Sequence, residues 1–178
     1  MKNLKQSICL FAVVAFILMG GLAHAETIKA DVFLINDKGL GENIGTVTFT
    51  DTPAGLEIKT DLKGLPPGKR GFHVHEFGNC GPVEKDGKGI PGMAAGGHYD
   101  PAKTGKHLSP GGGGHHGDLP ALEVAAYGTA KVTLLVKNPK TQDFKDRAVM
   151  IHAGGDNYSD EPAVLGGGGP RIACGVIR

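Results

Sequence analysis

Hydrophobic and polar residues alternate along most of the chain that follows residue 26. Successive side chains of an extended strand point to opposite faces, so this alternation predicts strands with one buried face. The alternating segments contain Ile28, Ala30, Val32 and Leu34, then Val47 and Phe49, Leu56, Ile58, Thr60 and Leu62, Phe72 and Val74, Val132 and Leu134, Val149 and Ile151, and Ile172 and Val176. We find no amphipathic helix of useful length. The pattern therefore predicts an all-β domain, an antiparallel sandwich or barrel.

Two long segments rich in glycine and proline interrupt the predicted strands. They span residues 76–120 and 153–170, and a lesser third spans 136–146. Thirty glycines and no tryptophan suit a β core with tightly turning loops. Loops of this length in a compact domain need something to order them, and a metal or a disulfide can do so.

The first 25 residues have the features of a secretory signal peptide. Lys2 and Lys5 precede an apolar run over residues 8–18, and Ala23-His24-Ala25 is an A-x-A cleavage site. The apolar run is too short to favour a retained membrane anchor. We therefore expect residues 1–25 to be cleaved and residues 26–178 to form one exported domain.

The charge of the expected mature chain is nearly balanced. Removing Lys2 and Lys5 from the 19 basic residues leaves 17 against 18 acidic residues, a net charge of −1 with neutral histidine. The chain has no basic tract, which argues against nucleic acid as a partner.

Two cysteines remain outside the signal segment, Cys80 and Cys174. Two cysteines in an oxidising compartment most simply form one disulfide. The alternative is a pair of free or metal-binding thiols, which is unusual in exported proteins.

Histidines recur at spacings typical of metal sites. Phe72-His73-Val74-His75 alternates, so both imidazoles share one face of a strand. Further along the chain are His98, His107, His115, His116, Asp118 and His152. Several imidazoles with one carboxylate favour zinc, and four nitrogens in a roughly planar array favour Cu(II). The histidines are too few for two independent sites, so one of them would have to bind both metals through its two ring nitrogens.

Several segments resemble the copper/zinc superoxide dismutase family, and in particular its bacterial periplasmic branch. They are Gly71-Phe72-His73-Val74-His75, Gly97-His98-Tyr99-Asp100-Pro101, Gly114-His115-His116-Gly117-Asp118-Leu119 and Arg171-Ile172-Ala173-Cys174-Gly175-Val176-Ile177. The resemblance covers essentially all of residues 26–178. It implies an eight-stranded Greek-key antiparallel β-barrel whose two long loops form the metal site. It also implies a periplasmic enzyme that disproportionates superoxide with one copper and one zinc per chain.

The resemblance further implies a role for each candidate site residue. The copper ligands would be His73, His75, His98 and His152, and the zinc ligands would be His98, His107, His115 and Asp118. His98 would bridge the metals and exchange a proton during turnover, and Arg171 would attract and orient superoxide. Asp156 would accept hydrogen bonds from His73 and His107. His116 departs from the family, which usually has an apolar residue there, and His115 is preferred because it precedes Asp118 by three positions.

Two other functions fit part of the pattern. A non-catalytic periplasmic copper- or zinc-binding protein explains the histidines, but not Arg171 or the shared ligand. A zinc hydrolase needs an open zinc position and a general base, whereas the zinc set here has four protein ligands. The small-molecule substrate would be superoxide. We expect no membrane contact after signal cleavage. A monomer and a homodimer both fit, and Lys85 and Lys88 are either steering lysines or solubility charges.

Overall fold

Eleven strands and one short helix make up most of the regular structure in the computed structural model, which describes residues 26–178. The strands are β1 (Thr27–Asn36), β2 (Gly39–Thr52), β3 (Gly55–Leu62), β4 (Gly68–Arg70), β5 (Phe72–His75), β6 (Val83–Lys85), β7 (Lys88–Ile90), β8 (Leu122–Val124), β9 (Thr133–Val136), β10 (Ala148–His152) and β11 (Arg171–Val176). The helix α1 spans Thr141–Phe144, inside the third predicted loop, and 3-10 turns span Met93–Ala95 and Val164–Gly167. The predicted signal peptide, residues 1–25, lies outside the described residues. Among residues 26–178 no helix has the length and apolar character that a membrane crossing requires.

The main sheet is antiparallel and has seven strands in the order β5-β10-β11-β1-β2-β3-β9. A second pair, β4 with β8, joins its two edges, because β4 runs directly into β5 and β8 leads through a turn to β9. The sheet therefore curls into a barrel, which confirms the predicted all-β class. A third pair, β6 with β7, is a small hairpin inside the first long loop.

The barrel interior is filled by the residues that alternate in the sequence. Phe49, Leu56, Ile58, Phe72 and Val74 are fully buried there. The Phe144 ring of α1 meets the Phe49 ring edge-on at 6.0 Å between centroids, so the helix caps the core. The alternation continues in β1, where Leu34 packs against the barrel core and Ile35, on the opposite face, joins a second apolar cluster outside the barrel. The register shifts opposite Val32–Ile35 place the extra residues in β2.

The pairing of β5 with β10 decides which residues face the loops. Val74 lies opposite Val149, and His73 lies opposite Met150. Because side chains alternate, the apolar pair points into the barrel and His73 points to its outer surface. The outer surface of both strands is also buried, because the long loops lie over it.

A disulfide ties the first long loop to the barrel, as predicted from the cysteine count. Cys80 and Cys174 are bonded with their Cα atoms 5.7 Å apart, and they are separated by 94 positions in the sequence. Both sulfur-bearing residues are buried in the second apolar cluster, together with Ile35 and Met150. The disulfide therefore holds the loop beside the outer faces of β10 and β11.

Candidate metal centre

Two predicted metal ligands come from β5, at the edge of the main sheet. His73 and His75 have no exposed surface. Isolated bridges join His73 to Asp118 and His75 to His98, so residues of the first long loop lie directly beside the strand. The pleat of β5 thus supplies two imidazoles on one face, and the loop brings further ligands to that face.

Four histidines form one group on this outer surface. The ligand atoms of His73, His75, His98 and His152 all lie within 4.8 Å of one another. His75 and His152 each donate Nδ1–H to a main-chain carbonyl, that of Gly96 and that of Gly169, at 3.0 Å. A neutral imidazole that donates through Nδ1 keeps a lone pair on Nε2. The two Nε2 atoms lie 3.4 Å apart, so both lone pairs can be directed at one metal ion.

A second group surrounds the Asp118 carboxylate. Asp118 Oδ1 lies 2.9 Å from His98 Nδ1, 3.0 Å from His107 Nδ1 and 3.4 Å from His115 Nδ1. Zinc bonds of about 2.0–2.1 Å in a tetrahedron place ligand atoms roughly 3.3 Å apart, which is close to these separations. The ligand atoms of His73, His98, His107 and Asp118 also lie within 4.8 Å of one another, so the two groups adjoin.

Unpaired ring nitrogens mark where a metal fits. Among residues 26–178, the buried side-chain polar atoms that lack a hydrogen-bond partner are His73 Nδ1, His98 Nε2, His107 Nδ1 and His115 Nδ1. Buried polar atoms are normally paired, so an unpaired set that converges on one region points to a missing partner. His98 has its Nε2 in this set and its Nδ1 at Asp118, so its two nitrogens face the two groups. The donor set therefore fits two cations that share His98.

Asp156, on the second long loop, connects the two groups. Its Oδ2 accepts a hydrogen bond from His73 Nε2–H at 2.7 Å, and its Oδ1 accepts one from His107 Nε2–H at 2.8 Å. These bonds fix the tautomer of both rings and leave each Nδ1 free for a metal. The Tyr158 main-chain N–H also donates to Asp156 Oδ1, which orients the carboxylate.

Burial lowers the pKa of the four histidines in the first group. Removal from water disfavours the charged imidazolium. The pKa of His98 is lowered to about 4 and that of His152 to about 3, and the pKa values of His73 and His75 are lowered as well. These rings are therefore neutral at pH 7, which is the form that binds metals.

His107 titrates in the opposite direction. Burial opposes its protonation, but the nearby Asp118 and Asp156 carboxylates outweigh burial and raise the pKa of His107 to about 9. Burial alone would raise the pKa of both carboxyls, whereas their contacts with histidines hold the pKa of Asp118 and of Asp156 well below the usual range. Two ionised carboxylates around one imidazole favour a cation at this position.

Arg171 begins β11 next to the first group, opposite His152 in the sheet register. Its Nη1 donates to the Gly92 carbonyl at 2.6 Å and its Nη2 to the Gly96 carbonyl at 2.7 Å. The Gly96 carbonyl also accepts the Nδ1–H of His75, so one peptide group orients both side chains. Arg171 is half-buried, and burial lowers its pKa without removing its charge at neutral pH.

His116 turns away from both groups. Its Nε2–H donates to Asp143 Oδ2 of α1 at 3.2 Å, and its ring packs against Tyr99 and Phe144. The structure therefore places His115, and not His116, beside Asp118. Lys85 and Lys88 lie exposed on the β6–β7 hairpin.

The sequence reasoning missed the main-chain groups of this centre. The carbonyls of Gly92, Gly96 and Gly169 orient Arg171, His75 and His152. Every residue has a carbonyl, so no side-chain pattern distinguishes these three. The Asp160 carboxylate, which accepts the main-chain N–H of His107 at 2.9 Å, was missed as well, since nothing in the sequence separates it from an ordinary loop aspartate.

Residues 43–177 match the family model described as copper/zinc superoxide dismutase (SODC). The superoxide dismutase [Cu-Zn] of Escherichia coli K12 is 50% identical over 168 residues, which cover 94% of this chain and 96% of that protein. The protein of the same name from Brucella abortus is 47% identical over 170 residues, covering 95% and 98%.

Two solved structures are also similar. The Cu/Zn superoxide dismutase from Brucella abortus superposes with a TM-score of 0.83 at 48% identity, covering 86% of this chain and 100% of that one. The solution structure of the monomeric copper, zinc superoxide dismutase from Salmonella enterica gives a TM-score of 0.77 at 49% identity, with the same coverage.

Proposed function

Because the chain belongs to the copper/zinc superoxide dismutase family, we propose that the two groups of side chains are its copper and zinc sites. The protein is an oxidoreductase that disproportionates superoxide, with copper and zinc as cofactors. The proposed copper ligands are His73, His75, His98 and His152. The proposed zinc ligands are His98, His107, His115 and Asp118. The observation that supports this assignment best is the convergence of four unpaired, buried ring nitrogens.

Copper, when bound, supplies the oxidation of one superoxide to dioxygen and the reduction of a second, which takes up two protons and becomes hydrogen peroxide. The protein residues organise this reaction. Arg171 provides a fixed positive charge beside His152, because two carbonyl bonds prevent its guanidinium from swinging away. A small anion is attracted to that charge and oriented by the remaining N–H groups.

His98 is the proposed proton carrier. Its Nε2 has no hydrogen-bond partner, and its Nδ1 faces the zinc group beside Asp118. The ring, bound to zinc through Nδ1, would stay in place while Nε2 gains or loses a proton. Burial lowers the pKa of the metal-free His98 ring to about 4, so the ring is neutral near pH 7, which is the form that binds metals.

The test is superoxide decay followed by pulse radiolysis, using residues 26–178 loaded with copper and zinc. We expect a rate constant on the order of 10⁸–10⁹ M⁻¹s⁻¹ for the wild type. His152→Ala should abolish it. His116→Ala, which removes a histidine outside both sites, should leave it unchanged.

Arg171→Gln separates an enzyme from a metal carrier. We expect the rate to fall by about tenfold or more with copper content unchanged, because the attracting charge is lost. Lys131→Gln removes the same charge from an exposed lysine paired with Asp61 and serves as the matched control. No acceleration by the wild type, despite one copper and one zinc per chain, would leave a non-catalytic copper/zinc-binding protein.

We also propose a periplasmic location after cleavage of residues 1–25. The signal-type sequence of that segment supports this location, and so does the Cys80–Cys174 disulfide, because disulfides persist in oxidising compartments. N-terminal sequencing of the protein from a periplasmic extract should begin at Glu26. We further propose a monomer, as the similar Salmonella enterica protein is described, and light scattering should then give the mass of one chain.

A further inference from the structure

Three carboxylates surround His107. Asp118 Oδ1 lies 3.0 Å from its Nδ1, and Asp156 Oδ1 accepts from its Nε2–H. The third carboxylate, Asp160, accepts the main-chain N–H of His107 through Oδ2 at 2.9 Å. The first two contacts hold the ring, whereas Asp160 holds the backbone that carries it.

Asp160 also joins the two long loops. Its Oδ1 accepts the main-chain N–H of Leu165 at 3.2 Å, so one carboxylate binds a residue from each loop. Bonds from N–H groups to an ionised acceptor are shorter and stronger than neutral ones. The N–H bonds of His107 and Leu165 hold the pKa of Asp160 below its usual range, and the carboxylate is therefore ionised at neutral pH.

The turn that Asp160 closes lies directly on the zinc-site hydrogen bonds. Leu165 and Gly166 both adopt positive φ, 53° and 71°. A Cβ on Gly166 would overlap Asp156 Oδ1 and would lie 2.7 Å from His107 Nε2. The Gly166 backbone therefore covers the Asp156–His107 hydrogen bond and leaves no room for water between them.

We propose that Asp160 is a positioning residue for the zinc site. By binding the backbones of His107 and Leu165 together, it fixes the His107 ring between Asp118 and Asp156. It also keeps Gly166 closed over the Asp156 hydrogen bond. The inference rests on the proposed zinc ligation by His107, and Asp160 itself donates nothing to the metal.

The test compares Asp160→Ala and Asp160→Asn with Ser159→Ala in residues 26–178. Ser159 accepts only the nearby Glu161 N–H through its side chain, so its loss disturbs the same turn without separating the loops. Zinc affinity is measured in copper-free protein by competition with a chelator. We expect Asp160→Ala to weaken zinc binding by about tenfold or more, as removal of an outer hydrogen-bond partner does. The zinc affinity of Asp160→Asn should lie between those of the wild type and Asp160→Ala, because its amide oxygen can replace only one of the two acceptor atoms.

A second measurement needs no metal. In ¹⁵N-labelled, metal-free protein, exchange of the His107 ring and main-chain N–H protons with solvent reports directly on its fixation. We expect both to exchange at least tenfold faster in Asp160→Ala than in Ser159→Ala.

Zinc affinity and His107 exchange within twofold of the wild type in both Asp160 variants would overturn the proposal, even if the variants unfold more easily. Should the wild type itself bind no zinc, the proposed zinc site fails. The exchange measurement in metal-free protein then still decides whether Asp160 positions His107.

Discussion

Loss of the Cys80–Cys174 disulfide should cost this protein much of its stability. The bond joins positions 94 apart and fixes the first long loop to β11. In the unfolded chain the same bond closes a large ring and removes many conformations. Reduction restores those conformations, which favours unfolding.

The size of the effect follows from the ring size. The chain-entropy relation for a ring of 94 residues gives about 4.7 kcal/mol at 25 °C. In a domain of this length each kcal/mol moves the melting temperature by about 2–4 °C, so reduction should lower it by roughly 9–19 °C. Reduction changes the free energy of the native state much less, because the reduced sulfurs remain packed against Ile35 and Met150.

Urea unfolding followed by circular dichroism provides the measurement. Residues 26–178 are made metal-free with a chelator and compared oxidised and reduced at pH 7. Reduced wild type keeps both sulfur atoms and therefore isolates the covalent link. Cys80→Ala/Cys174→Ala is the control, since its unfolding must be the same with and without reductant. A difference of less than about 1 kcal/mol between oxidised and reduced protein would refute the reasoning.

The urea midpoint of the metal-free protein should also depend on pH, and substitution should show which of the adjacent His115 and His116 binds zinc. The folded pKa values of His98 and His152 lie below the unfolded value of about 6.5, so the unfolded state binds more protons and urea midpoints should fall from pH 6.5 to 4. The folded pKa of His107 is raised, so the stability that this residue contributes is complete below about pH 6.5 and is lost as the pH rises towards 9. A urea midpoint that does not change between pH 4 and pH 9 would contradict both predicted trends. His115→Ala should lose most bound zinc in metal analysis, whereas His116→Ala should keep it because that ring bonds to Asp143; the reverse result would exchange their roles.

The sequence alone determined the all-β fold class and the capacity to bind metal ions. Period-two alternation identified the core residues, because a pleated strand buries every second side chain whatever its partner is. It did not predict the bulges of β2 that lie opposite the end of β1, since a register shift depends on how two strands pair. The histidine count predicted a shared ligand, because the histidines are too few for two independent metal sites.

Only the tertiary structure decided how these residues meet. It brings His152 and Arg171 beside His73 through the β5-β10-β11 order, an arrangement that depends on pairing between distant segments. It separates His115 from His116, which the sequence presents side by side, because one ring faces Asp118 and the other faces α1. It also recruits the Gly96 carbonyl and the Asp160 carboxylate, whose roles come from position and not from residue type. Residue type therefore determined what this chain can bind, whereas long-range packing determined where each ligand atom points.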